Sequence, residues 1–133
     1  MGTLCRKVCM FIKRLLIIAS CTSFALAHVV EINDQAKFTE AIKSGKSVVK
    51  FYSDGCPPCK ASQPMLDALS NDNNYKDIHF IQVNFQRGRA LAVKYARMFP
   101  TFAFFKDGKK VGNNIVGYDS KTRQQIIDHI NSL

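Results

Sequence analysis

Apolar and polar positions along the chain fall into short strand-like runs alternating with helical stripes. Val29, Val30 and Ile32 make a first short strand. Asn33 or Asp34 then caps a helix on which Phe38, Ala41 and Ile42 recur at i, i+3 and i+4, and Gly45 stops it. Ser47 to Tyr52 (SVVKFY), β-branched and aromatic, reads as a buried central strand. The turn Ser53-Asp54-Gly55 leads into a helix from Cys56, with Pro57 tolerated in its first turn and Pro64 bending it. Met65, Leu66 and Leu69 form its inner face, and the polar stretch Asn71 to Asp77 closes it.

Ile78 to Asn84 (IHFIQVN) is another strand, followed by a helix over Ala90 to Arg97 carrying Leu91, Lys94 and Tyr95. Strands separated by helices imply parallel pairing through right-handed crossovers. Thr101 to Lys106 and Val111 to Val116 instead flank Asp107-Gly108, a turn signal for an antiparallel hairpin. A last helix from about Ser120 carries Ile126, Ile127, Ile130 and Leu133. The order βαβαβαββα predicts an α/β fold, one central mixed sheet flanked by helices.

Residues 1–27 have a different pattern. Arg6, Lys7, Lys13 and Arg14 precede a charge-free run from Leu15, and Ala25-Leu26-Ala27 offers small residues for cleavage, the layout of a secretory signal peptide. A retained anchor needs roughly 18 to 20 apolar residues, and Leu15 to Val30 falls short of that. Cleavage after Ala27 is the expected processing; the alternative is lipidation at Cys21, in a loose lipoprotein box. Residues 28–133 are then the working domain, exported, with the bacterial periplasm the foremost compartment and secretion or a lipid anchor as alternatives.

Removing this segment changes the composition. The 133-residue chain carries 19 Lys plus Arg against 10 Asp plus Glu, a net +9. Four of the basic residues and none of the acidic ones lie in the leader, so the remaining domain is +5. Its basic residues, from Lys37 and Lys43 to Lys109 and Lys110, lack aromatic interleaving or a nucleic-acid motif, so a solvated basic surface is expected and no nucleic-acid partner. Of five cysteines, Cys5, Cys9 and Cys21 depart and Cys56 and Cys59 remain.

A Cys-x-x-Cys between a buried strand and a helix start sets its first sulfur beside free backbone N–H groups and the positive end of the helix dipole, which stabilises a thiolate. Cys56 is expected to attack a disulfide and Cys59, one turn on and more buried, to resolve the mixed disulfide; the reverse direction oxidises a dithiol. Other readings stay open. A zinc site commonly needs four ligands, and His28, His79 and His129 are scattered singly, so no metal and no cofactor are assigned. A soft-metal carrier, an inert structural disulfide and a redox-inactive, client-holding chaperone are the alternatives.

Phe51-Tyr52-Ser53-Asp54-Gly55-Cys56-Pro57-Pro58-Cys59-Lys60, then Pro64, Phe99-Pro100-Thr101, Phe105-Lys106-Asp107-Gly108 and Gly117 resemble the thioredoxin family across residues 28–133. The resemblance implies the thioredoxin fold and a monomeric thiol–disulfide oxidoreductase acting on client proteins. It further implies a cis Pro100 against the sulfurs, Phe99 backbone pairing with the client, and Gly55, Pro57 and Pro58 completing the client-facing surface. An unidentified membrane or soluble partner would restore its redox state, and reduction of clients is the expected direction over oxidation.

The departures carry information too. Gly55 stands where thioredoxins commonly carry Trp, and the chain has no Trp. The Pro-Pro between the cysteines resembles that of tryparedoxins. Lys50 replaces a buried Asp, and its amine is expected to reach the surface, the alternative being a buried amine of lowered pKa that stabilises thiolate.

Overall fold

A computed structural model describes residues 28–133; the expected cleavage after Ala27 and the lipidation alternative at Cys21 lie outside the described residues. Strand β1 is Val30–Glu31, β2 Lys46–Tyr52, β3 Ile78–Asn84, β4 Thr101–Lys106 and β5 Lys109–Val116. Helix α1 is Gln35–Ile42, α2 Pro57–Asn71, α3 Arg89–Tyr95 and α4 Ser120–Ser132. The strands form one sheet in the order β1-β3-β2-β4-β5. β2 pairs parallel with β3 and antiparallel with β4, so the sheet is mixed and SVVKFY lies at its middle.

Because side chains alternate across a strand, β2 supplies both cores. Val49 and Phe51 join Ile81, Val83, Ala103 and Phe105 on one face, closed by Phe38 and Ile42 of α1 and Leu91 and Ala92 of α3. Val48 joins Phe80, Phe102 and Phe104 on the other, closed by Met65 and Leu66 of α2 and Ile126 and Ile130 of α4. Lys50 is on this second face.

Differences from the sequence reading lie mostly at element ends. Helix α3 stops at Tyr95, two residues short of Arg97, because Ala96 is extended (φ −132°, ψ 133°), and its inward residues are Leu91, Ala92 and Tyr95, with Lys94 exposed. Helix α2 starts at Pro57, one residue after Cys56, and continues past Pro64 to Asn71 as expected. β1 keeps only two residues, although Ile32 N–H still donates to the Gln82 carbonyl at 2.9 Å.

Helix α4 begins with a reciprocal cap. Asp119 Oδ1 accepts from Thr122 N–H at 2.7 Å, and Thr122 Oγ1 accepts from Asp119 N–H at 2.7 Å. The Thr122 backbone bond, helped by the Thr122 hydroxyl, holds the Asp119 carboxyl below the usual carboxylate range. A depressed carboxyl pKa stabilises the fold above the ordinary carboxylate pKa, and that contribution is lost as pH falls through the native value. Asp119→Ala should therefore lower Tm at pH 7 by roughly 4 to 8 °C. Thermal scans should show this gap closing as pH falls below the ordinary carboxylate range; a gap independent of pH contradicts the assignment.

Candidate functional site

The loop Ser53-Asp54-Gly55 carries the chain from β2 to α2 with Gly55 at φ 74°, a left-handed conformation that costs glycine little. Three side chains from the end of β3 and the segment after it hold this loop. Gln86 Oε1 accepts from Asp54 N–H at 3.1 Å, Asn84 Nδ2 donates to Asp54 Oδ1 at 2.8 Å, and Arg87 lies 4.0 Å from the Asp54 carboxylate. Arg87 also donates to Glu31 and to the Tyr52 hydroxyl, each at 2.9 Å. Burial pushes the Glu31 carboxyl up, but bonds from Tyr52, Asn33 and Arg87 outweigh it and hold the group below its ordinary value. No sequence signal marked this network, since Glu31, Tyr52 and Arg87 meet only through the pairing of β1, β2 and β3.

Cys56 is the N-cap of α2, and its Sγ accepts from Cys59 N–H at 3.4 Å. Pro57 and Pro58 fill the first two helical positions and have no N–H, so the Cys59 amide is the first donor this helix offers the sulfur. Cys56 and Cys59 form a disulfide with Cα atoms 5.2 Å apart. Cys56 is half-buried, whereas Cys59 is 3% exposed, the asymmetry expected of an outer and an inner sulfur.

The Phe99–Pro100 peptide bond is cis, as the resemblance implies, and the Phe99 carbonyl oxygen is 3.7 Å from Cys56 Sγ. Pro100 is buried, and its carbonyl accepts from Gly117 N–H at 2.8 Å. Gly55, Pro57, Pro58, Phe99 and Pro100 thus flank the disulfide from the loop after β2, the first turn of α2 and the segment just before β4. The histidines take no part: His79 meets the Ala41 carbonyl and His129 stacks on Phe104 at 4.1 Å. Among the described residues, no three His, Cys, Asp or Glu side chains converge as a metal site would require.

Lys50 corrects the sequence expectation. Instead of reaching solvent it is 1% exposed, with its amine beneath α2 donating to the Cys59 carbonyl at 2.9 Å and to Gln63 Oε1 at 2.6 Å. A lysine reaches water from a strand only where an edge or a gap is within its length. Here β3 and β4 flank β2 on both sides and α2 covers the face. Burial pushes the amine down to about 8, with the Asp67 carboxylate acting in the opposite sense. Gln63 was missed by sequence reasoning, although its place four residues after Cys59 puts it on the same side of α2.

Comparison with known proteins gives the same answer as the geometry. The Thioredoxin family model matches residues 28–132. Thioredoxin Asp f 28 of Aspergillus fumigatus is 30% identical over 105 residues, covering 78% of this chain and 95% of that protein. Thioredoxin Asp f 29 of the same fungus is 36% identical over 96 residues, covering 69% and 86%. The oxidized crystal structure of mitochondrial thioredoxin 3 from Saccharomyces cerevisiae superposes with a TM-score of 0.70 at 28% identity, over 79% of this chain and 95% of that one. With the fold, the paired cysteines and these relatives in agreement, the chain belongs to the thioredoxin family and is a thiol–disulfide oxidoreductase of disulfide-bearing client proteins.

Proposed function

We propose that Cys56 is the attacking thiolate, that Cys59 resolves the mixed disulfide, and that the protein works chiefly as a reductase of client disulfides in an exported compartment. The observation that carries this reading is the asymmetry of the pair: Cys56 is half-buried at a helix N-cap, and Cys59 is buried behind it. Reduction balances as follows. The Cys56 thiolate bonds to one client sulfur and the other client sulfur leaves with the electron pair. Cys59 then bonds to Cys56 and frees the first client sulfur, so the client gains two electrons and the Cys56–Cys59 dithiol loses them. A membrane or soluble reductant must return those electrons.

The reducing direction is supported by the helix start. A strong thiol oxidant owes its potential to a stabilised reduced form. With Pro57 and Pro58 lacking N–H groups, the Cys56 thiolate has fewer first-turn donors than other residues would supply, which favours giving electrons away. The client chain is read as lying along the Phe99 backbone, over Pro100, Gly55, Pro57 and Pro58. Export is supported by the signal-like sequence of residues 1–27 and by the absence of any cysteine but this pair from residues 28–133.

Cys59→Ser should trap clients as mixed disulfides on Cys56, stable to gel electrophoresis without reductant and released by dithiothreitol. Trapping that persists when Cys56 is also replaced by serine would contradict the assignment of roles.

A further inference from the structure

Below the disulfide lies a polar line that the exchange reaction as described does not use. It starts at Lys50 Nζ, passes to Gln63 Oε1 at 2.6 Å, and runs from Gln63 Nε2 to Asp67 Oδ1 at 2.9 Å, where Asp67 is exposed on the outer side of α2. The other acceptor of the amine is the carbonyl of Cys59 itself, at 2.9 Å. An ammonium has three donors and these bonds account for two. Beside them opens a cleft of about 170 Å³ whose lining includes Lys50, Tyr52, Asp54, Gly55, Cys59 and Gln63. A space of that size has room for several waters, and Lys50, Asp54 and Gln63 give it polar groups within a largely apolar wall. On β3, Gln82 stands directly across from Lys50 in register, and its buried Oε1 has no protein partner.

We propose that Lys50 is the proton partner of Cys59: its neutral amine takes the Cys59 proton, its ammonium then steadies the thiolate, and the proton leaves through the water of this cleft. The proposal rests on Cys59 being the resolving thiol. In the resolving step the Cys59 thiol passes its proton to the Lys50 amine, leaving thiolate beside ammonium. The thiolate attacks Cys56 Sγ, the bond from Cys56 to the client breaks, and the electron pair leaves on the client sulfur, which takes a proton from solvent. The ammonium returns its proton to solvent through the cleft. Lys50 therefore acts through Cys59 and not on the client.

Two features make this a working arrangement. The amine sits in surroundings that hold its pKa near 8, so at neutral pH both of its protonation states are accessible. Its charged and titratable neighbours are few. Asp67 reaches it only through Gln63, Tyr52 presents its ring at 5.5 Å, and Asp54 and Lys60 line the cleft. The flanking strands contribute uncharged Gln82 and Phe102 opposite it. Asp54 is already engaged by Asn84 and Arg87, which leaves Lys50 as the cation in hydrogen-bond contact with Cys59.

The test titrates the Cys59 thiolate by its ultraviolet absorbance in the reduced Cys56→Ser protein, with Lys50 intact and with Lys50→Met or Lys50→Asp added. An opposite charge within about 4 to 6 Å shifts a titrating group by roughly one to three pH units. Cys59 should therefore ionise at least tenfold less readily in the Met variant, and less readily still in the Asp variant. With Cys56 present, Lys50→Met should slow release of a trapped client about tenfold at pH 7, and the loss should shrink at high pH. Met matches the volume of the lysine stem, so its comparison decides alone if the Asp variant does not fold. Titrations that coincide within twofold, while the protein with both cysteines reduces insulin, overturn the role of Lys50 and leave the exchange reading standing. Failure of the unaltered protein to reduce insulin at all overturns the exchange reading instead.

Discussion

Cys56→Ser should reduce insulin no faster than dithiothreitol alone, the largest effect on activity that any single replacement in this protein will have. The reason is chemical. Disulfide exchange needs a thiolate, and a serine hydroxyl at a helix N-cap neither ionises near neutral pH nor forms a bond to sulfur that Cys59 could resolve. The change leaves the scaffold in place: serine is itself a favoured N-cap, and Cys56 already accepts the Cys59 amide through its side chain. Far-ultraviolet circular dichroism of the variant should match that of the unaltered protein while turnover is absent. Turnover at an unaltered rate in Cys56→Ser would exclude this sulfur as the nucleophile.

Phe51→Ala should have the largest effect on stability. Phe51 is fully buried on the middle strand, five residues before Cys56, stacked on Tyr95 at 5.6 Å with an interplanar angle of 26°. Emptying such a site removes the transfer free energy of a phenyl group and leaves a cavity under α1 and α3, a loss of about 3 to 5 kcal/mol. Domains of this size hold roughly 5 to 15 kcal/mol in total, so Tm should fall by roughly 15 to 30 °C. Urea denaturation followed by circular dichroism measures it. A midpoint within about 0.5 kcal/mol of the unaltered protein would mean that the layer between the sheet and these two helices is not packed as described.

The order of elements was legible in the sequence because its periodicities are clean. SVVKFY reads as a buried central strand and TFAFFK as one arm of a hairpin, and β2 and β4 take those places in the sheet. The cysteines were legible as a site because their spacing places both sulfurs at one helix start. Pro100 and Phe99 became visible only through family resemblance, since forty residues separate them from the pair and no spacing rule spans that distance.

Lys50 was misread for a physical reason. Alternation along β2 puts residues 48, 50 and 52 on one face, but whether a lysine there finds water depends on what covers the face, and that is decided by α2 and by strands distant in sequence. The polar residue that receives it, Gln63, lies four residues after Cys59, a spacing that could have signalled a polar partner on that side of the helix. The clamp of Glu31, Tyr52, Asp54 and Arg87 offered no comparable signal, because its members come from separate segments and meet only in the folded sheet.

Reduction of clients requires Cys56 and Cys59 to form a reversible donor pair. Equilibration with glutathione buffers of graded ratio, followed by alkylation and mass analysis, measures this directly. The expected result is a single two-electron transition between roughly −270 and −200 mV, the range of thioredoxins and glutaredoxins. A disulfide that stays closed in buffers poised as low as about −300 mV, as inert structural disulfides do, would contradict it.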